Sequence, residues 1–206
     1  MKLGAGLPET EFVNYREGSY VQPVEGAESL GEVWQPYFNR TPGHFSSHAQ
    51  TPVDRPTGFP VGALSADGKI GYLYCAAFRG YREDAFYIYK EMVARMLEKL
   101  LPNPLIRPVA NVPASMEIAL HRQPEHNRLV AHLVHFQPQR RTATNEFIED
   151  AVPVTNVEFA VRTGKAPSRV ALAPSDHEID FRQEGEYCHV LIRKIVTSQL
   201  VTFDLS

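Results

Sequence analysis

The stretches Met116-Glu-Ile-Ala-Leu-His-Arg122 and Arg128-Leu-Val-Ala-His-Leu-Val-His-Phe136 decide the fold of the second half of this chain. Both have the length of a strand, and their apolar residues recur with a period of two, which is typical of strands in a sheet. Between them lies Gln123-Pro-Glu-His-Asn127, whose proline and asparagine favour a turn. The three stretches together predict a β-hairpin.

Five further stretches of strand length follow the hairpin, separated by segments rich in glycine, proline and serine. They cover residues 156–162, 168–173, 178–181, 186–192 and 199–205. Seven short strands at this spacing are typical of two antiparallel sheets packed face to face. We therefore predict an antiparallel β-sandwich over residues 105–206.

Upstream of the hairpin, an apolar run and a helical pattern replace this alternation. Lys69–Phe78 is apolar on both faces, which is typical of a covered strand in a parallel sheet. After a connection over Arg79–Asp84, apolar side chains at helical spacing predict a helix from about Ala85 to Leu101. A strand followed by a helix is half of a βαβ unit, so we predict a partial α/β domain over residues 1–104. The predicted fold class of the whole chain is α+β.

A lone strand and helix cannot cover both faces of a parallel sheet, because unpaired strand edges and exposed apolar faces are costly. Two explanations stay open. Either the proline-rich first sixty residues wrap the unit, or its neighbouring strands belong to a longer polypeptide. The second explanation makes this chain the tail of a larger protein.

The composition argues against several functional classes. Hydrophobic residues make up 43% and charged residues 22% of the 206 positions, as in soluble globular proteins. Lys and Arg number 21 against 24 Asp and Glu, so neither nucleic acid nor an anionic membrane surface is an expected partner. We find no apolar run of the roughly 18–20 residues that span a bilayer, and no secretory signal at the N-terminus. With two cysteines far apart, Cys75 and Cys188, we expect a reduced, cytoplasmic protein.

Four segments spread over the chain carry a family resemblance: Tyr37–Pro52, the strand and helix of 69–101, His121–Pro124 and Leu129–Phe136. Together they resemble the late part of certain bacterial β-galactosidase-like glycoside hydrolases. In that family a (β/α)8 catalytic barrel precedes a trimerisation domain with an amidotransferase-like (flavodoxin-like) fold, and a small β-domain closes the chain. The resemblance implies that the catalytic carboxylates belong to the barrel, so we expect no catalytic residue and no cofactor here.

The same resemblance implies a non-catalytic accessory and assembly region of a carbohydrate-active enzyme. Its implied partners are the adjoining barrel, further copies of itself in a homo-oligomer, and an oligosaccharide. The resemblance also implies that Arg40, His44 and His48 face the mouth of the barrel and donate hydrogen bonds to sugar hydroxyls. His44 and His48 have the spacing of a metal pair, but the glutamate of His-Glu-x-x-His is missing and Pro42-Gly43 favours a loop. We therefore expect no metal at this pair.

A free-standing carbohydrate-binding module is the first alternative to the assembly role. Trp34 and Tyr37, with Phe38 beside them, are candidates for a platform on which a sugar ring stacks. Aromatic side chains serve more often in cores and subunit contacts. We therefore favour packing or an interface for these rings.

A small thiol enzyme with Cys75 as its nucleophile is the second alternative. Activation of a cysteine needs a sharp, glycine-flanked turn and a nearby histidine. Tyr74 and Ala76 flank Cys75 instead, within an apolar run that continues to Phe78. We therefore expect a buried, structural cysteine.

Three histidines lie on the predicted hairpin. Strand alternation places His132 and His135 on opposite faces, so they cannot bind one metal ion together. One of them can pair across the hairpin with His121. The expected role of each is that of a satisfied histidine of the sheet.

Overall fold

A computed structural model describes residues 3–4, 6–48, 50–140 and 142–205 of the chain. The chain divides into two compact units, Met1–Pro102 and Asn103–Ser206. The division falls two residues before the boundary that the sequence predicts. Each unit has its own sheets and its own hydrophobic clusters.

The second unit is a sandwich of two antiparallel sheets, which confirms the prediction from the alternating sequence. Its strands are β6 Ile106–Ala110, β7 Met116–Gln123, β8 Arg128–His135, β9 Gln139–Arg140, β10 Glu146–Phe147, β11 Val154–Arg162, β12 Arg169–Ala173, β13 His177–Glu178, β14 Phe181–Glu184, β15 Tyr187–Ile195 and β16 Ser198–Asp204. The larger sheet has the order β13-β12-β16-β8-β7 and the smaller one the order β14-β15-β11-β6, while β9 pairs with β10. A short 3-10 turn, Pro124–His126, joins β7 to β8.

The core of the sandwich contains side chains from both sheets. On β11, the alternate residues Val157, Phe159 and Val161 have no exposed surface. The buried cluster consists of Met116, Ala131, Leu133, Val157, Phe159, Val161, Val170, Cys188, Val190, Ile192, Ile195, Val201 and Phe203. Because the sheets pack through alternate residues, the period of two in the sequence specifies the buried face of each strand.

Three parts of the sandwich differ from the sequence prediction, one of them the short β9–β10 hairpin, which the prediction does not contain. The stretch 178–181 is not one strand, because β13 pairs with β12 in one sheet and β14 pairs with β15 in the other. The sequence prediction also misses β6. Pro108 lies within this strand, and the prolines on either side of the strand favour a boundary between domains. β6 is an edge strand, where a residue without an N–H is tolerated. A bulge in its pairing with β11, between Glu158 and Phe159, lies next to the proline.

The first unit is built from short antiparallel strands and two helices. Its described elements are β1 Glu28–Leu30, β2 Trp34–Pro36, β3 Val53–Pro56, β4 Gly62–Leu64, β5 Gly71–Leu73, α1 Ala77–Asp84 and α2 Tyr87–Leu100. One sheet has the order β1-β4-β5, and β2 pairs with β3 as a separate hairpin. In the described ranges, no helix has the length and apolar character needed to cross a membrane.

The predicted parallel strand over Lys69–Phe78 is wrong. Only its middle, β5, is a strand, and it pairs with β4 in the antiparallel sense. The predicted connection over Arg79–Asp84 is wrong as well, because α1 covers it. The left-handed φ of 52° at Ala85 ends α1, so the predicted helix begins at Tyr87 rather than at Ala85. An amidotransferase- or flavodoxin-like unit is therefore not confirmed.

The helices of the first unit pack closely at two glycines. A Cβ atom at Gly80 of α1 would lie 2.6 Å from Cε2 of Tyr89, so α1 and α2 meet where a side chain does not fit. A Cβ atom at Gly71 would lie 2.8 Å from Cγ of Met96, which places α2 directly against β5. These two contacts explain how such short strands support a layer of helices.

The irregular N-terminal stretch is tied to both helices, as the first of the two explanations requires. The Tyr89 hydroxyl donates a 2.8 Å hydrogen bond to Oδ1 of Asn14. The Arg16 guanidinium forms ion pairs with Glu83 and with Asp84 at the end of α1. The first sixty residues thus cover part of the unit, although they form no long strand or helix of their own in the described ranges.

Candidate functional site

The candidate site residues lie on one extended β-hairpin, residues 34–56, which we call the 34–56 hairpin. β2 and β3 form its base. Beyond β2 the chain stays paired, because the Tyr37 N–H donates to the carbonyl of Pro52 at 3.1 Å. The Thr51 hydroxyl accepts from the N–H of Phe38 and donates to its carbonyl, at 3.2 and 3.0 Å. These bonds extend the pairing of the hairpin beyond β2 to Phe38 and Thr51.

The tip of the 34–56 hairpin combines aromatic and cationic side chains. Thr41 and His44 exchange backbone hydrogen bonds of 2.9 and 3.1 Å, so the tip is a turn and not a helix. The His44 ring stacks on Phe38 with 3.6 Å between ring centroids. The Arg40 guanidinium carbon lies 5.7 Å from the centre of the exposed Phe45 ring. These contacts orient two polar groups, a guanidinium and an imidazole, at an exposed surface.

Trp34 and Tyr37 belong to the same hairpin and are 49% and 65% exposed. Trp34 lies on β2, whose pairing with β3 shifts in register between Gln35 and Pro36, and Tyr37 follows that shift. Strand alternation therefore does not fix how the two rings are oriented relative to each other. Each exposed ring is by itself a candidate for stacking on a sugar.

His44 and His48 lie in a loop, so their spacing of four residues does not place them on one face of a helix. The Ser46 hydroxyl donates to the backbone carbonyl of His48 at 2.7 Å, and the His48 side chain is exposed. Within the described ranges, no group of three His, Cys, Asp or Glu side chains is arranged to hold a metal ion. The chemistry that these histidines offer is hydrogen bonding to a polar ligand.

Cys75 lies at a strand-to-helix junction, between β5 and α1, which corrects the prediction that the strand continues to Phe78. Its thiol is buried in an apolar cluster with Ala77, Ile88, Tyr89 and Met92. Burial raises the pKa of the Cys75 thiol, which disfavours the thiolate that a nucleophile requires. The surroundings therefore fit a structural cysteine.

We expect folding to slow the alkylation of Cys75 by iodoacetamide by about a hundredfold or more, because reaction then requires local opening. The chain has two cysteines, so the Cys188→Ala variant leaves Cys75 as the sole thiol. Mass spectrometry of timed samples, with and without denaturant, measures both rates. Equal rates would mean an accessible, activated thiol and would restore the thiol-enzyme hypothesis.

Each unit contains a pocket that is open to solvent, and both pockets are lined mainly by apolar side chains. The cavity of the first unit, about 500 Å³, is lined by residues of β5, α1 and α2, including Leu73, Phe78, Val93, Met96, Leu97 and Leu100. The cavity of the second unit, about 300 Å³, is lined by residues that include Val134, Phe136, Ile148, Val152 and Val196. Asp150 is the one carboxylate among the described residues that line either cavity. Neither cavity holds the pair of acids with which most glycosidases cleave a sugar bond.

A charged cluster that the sequence prediction misses lies on the smaller sheet of the sandwich. His189 Nδ1 is 3.8 Å from Oε1 of Glu158, and its Nε2 is 3.4 Å from Oε2 of Glu184. Arg182 forms ion pairs with both carboxylates. Because the carboxylates face opposite nitrogens of the ring, all three groups cannot bind one metal ion. The residues come from β11, β14 and β15, so only strand pairing brings them together.

The histidines of the β7–β8 hairpin behave as the sequence predicts. The rings of His121 and His132 meet across the hairpin with centroids 4.8 Å apart. His135 is buried, and its Nδ1 lies 3.4 Å from the Ser115 hydroxyl. The prediction that His132 and His135 occupy different faces is therefore confirmed.

Comparison with known proteins relates the chain to part of a larger enzyme. No family model matches the chain, and no match is found among curated proteins. Among solved structures, α-L-fucosidase isoenzyme 2 from Paenibacillus thiaminolyticus is similar, with a TM-score of 0.84 and 29% sequence identity. The match covers 95% of this chain and 29% of the fucosidase, so the chain spans less than a third of that enzyme. The resemblance to β-galactosidase-like enzymes is confirmed only in its coarser part: the chain is similar to a part of a glycoside hydrolase.

Proposed function

We propose that this chain is a non-catalytic accessory and assembly region of a glycoside hydrolase whose catalytic barrel lies outside it. The observation that carries the proposal is the match of almost the whole chain to less than a third of a fucosidase. The partners in this proposal are the barrel, copies of the region itself, and the saccharide that the barrel cleaves. Both fucosides and galactosides are candidate substrates of the complete enzyme.

The chemistry of the described residues supports a role without catalysis. Most glycosidases place two carboxyl groups about 5–10 Å apart on either side of the scissile bond. The two cavities described above are walled by apolar side chains and offer one carboxylate between them. Surfaces of this kind suit packing against a polypeptide better than proton transfer to a sugar.

The 34–56 hairpin has a specific task in this proposal. Arg40, His44 and His48 are exposed donors near its tip, and they would hydrogen-bond sugar hydroxyls at the entrance of the catalytic cleft. The exposed ring of Trp34 or Tyr37 would stack on one sugar ring. Such residues on a loop over a rigid scaffold are a common source of substrate contacts.

The direct test is turnover by the purified chain. We expect no hydrolysis of aryl α-L-fucosides or aryl β-galactosides above the buffer rate, because the chain supplies no pair of acids in its cavities. Release of nitrophenol measures the reaction, and the Paenibacillus thiaminolyticus fucosidase is the positive control for the fucoside. Steady turnover that is proportional to the concentration of the chain would overturn the proposal.

The exposed Trp34 and Tyr37 favour a second candidate function, a free-standing carbohydrate-binding module. Calorimetric titration with fucosylated and galactosylated oligosaccharides separates the two functions. Saturable micromolar binding by the chain alone, abolished by Trp34→Ala, would favour the module. The accessory role instead needs the barrel to complete the binding site, so the isolated chain then gives no such heat.

A further inference from the structure

We propose that the apolar groove of the first unit, lined by Leu73, Phe78, Val93, Met96, Leu97 and Leu100, binds the body of a glycoside hydrolase. By the body we mean the part of such an enzyme that lies outside this chain. The inference rests on the proposed function and specifies the surface through which region and body associate. We call this surface the docking groove.

The docking groove exposes large apolar side chains that a protein usually buries. Phe78 on α1 is 74% exposed and Leu97 on α2 is 47% exposed, and both line the same space of about 500 Å³. Single exposed apolar residues are ordinary, whereas two that line one apolar groove favour an interaction surface. The groove therefore fits a protein contact.

The strand beside the groove is also open to a partner. β5 is an edge strand of its sheet and pairs with β4 alone among the described strands. Beyond its end, Cys75 forms an isolated bridge with Gly18. Residues 18–19 therefore cover the far end of this edge, where the Ser19 N–H also donates to the Tyr74 carbonyl at 2.8 Å. In the described part of the chain, only the stretch Gly71–Leu73 of this edge is free, and a partner can add a strand there.

The chemistry of the groove excludes a sugar as its occupant. Arg79 is the one charged residue among those that line it in the described part of the chain. Saccharide and cofactor sites need several polar groups that converge on the ligand. The Cys75 thiol also lines the groove, but it is buried and kept neutral by its raised pKa. An apolar polypeptide surface is the occupant that this lining matches.

The comparison points to the body of the enzyme as that polypeptide. More than two thirds of the fucosidase chain lies outside the match, so a region of this fold belongs there to a much larger molecule. A body of that size can cover an apolar groove that the region itself leaves open. A second copy of this chain is the competing occupant, and the experiment distinguishes the two.

The test is a chimera in which this chain replaces the matched segment of the Paenibacillus thiaminolyticus fucosidase. Leu97→Lys places a charge in the groove, keeps a good helix former, and puts a cation near the C-terminus of α2, where the helix dipole favours it. The matched control is Leu191→Lys, on an outward-facing position of β15 that is 50% exposed and outside the groove. Both substitutions are also made in the isolated chain, whose melting temperature and sedimentation are measured.

We expect the unsubstituted chimera and its Leu191→Lys variant to hydrolyse aryl fucoside at equal rates. The Leu97→Lys variant should hydrolyse it about tenfold more slowly or worse, because its contact with the body is weakened. The isolated Leu97→Lys chain should keep its melting temperature. Equal activity of the two lysine variants would overturn the docking groove and leave the proposed function standing. If the isolated chain forms a dimer and Leu97→Lys makes it monomeric, the occupant of the docking groove is a second copy of this chain. That result would also overturn the proposal. An inactive unsubstituted chimera would count against the proposed function itself.

Discussion

Replacing Phe159 by alanine is expected to lower the free energy of unfolding of the sandwich by about 3–5 kcal/mol, the usual cost of deleting a buried aromatic ring. Phe159 has no exposed surface and belongs to the cluster formed by both sheets. Its strand, β11, is paired on both sides, with β15 and with β6. Because neighbouring strands hold β11 in place, the surrounding core can collapse only partly into the cavity.

Guanidinium denaturation followed by far-ultraviolet circular dichroism measures this loss. Leu191→Ala is the matched control, since Leu191 lies half exposed on the same sheet and should change stability by less than about 0.5 kcal/mol. Trp34 is the single tryptophan and belongs to the first unit, so its fluorescence follows that unit separately. A cost below about 1 kcal/mol for Phe159→Ala would contradict the packing described for the two sheets.

The stability of the sandwich is expected to fall steeply in alkaline solution because of Cys188. This thiol has no exposed surface, and burial raises its pKa to about 12. In the unfolded chain a thiol ionises near pH 8.5. Below about pH 8.5 the thiol is protonated in both the folded and the unfolded state, so it does not lower the free energy of unfolding of the sandwich. As the pH rises toward 12, only the unfolded state gains the charge, so stability is lost at about 1.4 kcal/mol per pH unit, about 5 kcal/mol in total.

Denaturation curves at pH 7, 8, 9, 10 and 10.5 test this expectation for the natural chain and for Cys188→Ala. The alanine variant should be less stable at neutral pH, because it leaves a small cavity, but its stability should decline less steeply above pH 9. Cys75→Ala is the comparison for the other buried thiol, whose pKa is also raised. Identical slopes for the natural chain and Cys188→Ala would show that the thiol ionises equally in the folded state.

The sandwich could be predicted from the sequence because its strands are long enough to show their period. β7, β8, β11 and β15 each have eight or nine residues, and alternate positions along them differ in burial. β6 could not be predicted, because an edge strand that contains Pro108 has the composition of a loop. Which sheet each strand joins also depends on pairing between residues far apart in sequence.

The first unit shows where local patterns fail. Its strands have three or four residues, too few to display any period. An apolar run such as Lys69–Phe78 fits a buried parallel strand as well as a short antiparallel strand followed by a helix. The break between α1 and α2 depends on the left-handed backbone of Ala85, a conformation that alanine rarely takes. The α2 helix was predictable because fourteen residues carry several turns of apolar spacing.

The candidate site could be predicted in part. Proline and glycine at positions 42 and 43 correctly indicate a loop around His44, and the structure shows the turn. The pairing of β2 with β3, and the register shift between Trp34 and Tyr37, could not be predicted, because β2 has only three residues. The docking groove could not be found by motif, because it forms where β5, α1 and α2 meet and its residues are ordinary core types.

The position of β16 has a consequence for biosynthesis. β16 lies between β12 and β8 in the larger sheet, although it follows both of them in sequence. While the ribosome is still translating this strand, β8 and β12 each have one edge without a partner, and Val201 and Phe203 are absent from the core. The larger sheet therefore closes only once β16 has joined it, and until then the open edges of β8 and β12 can pair with other chains.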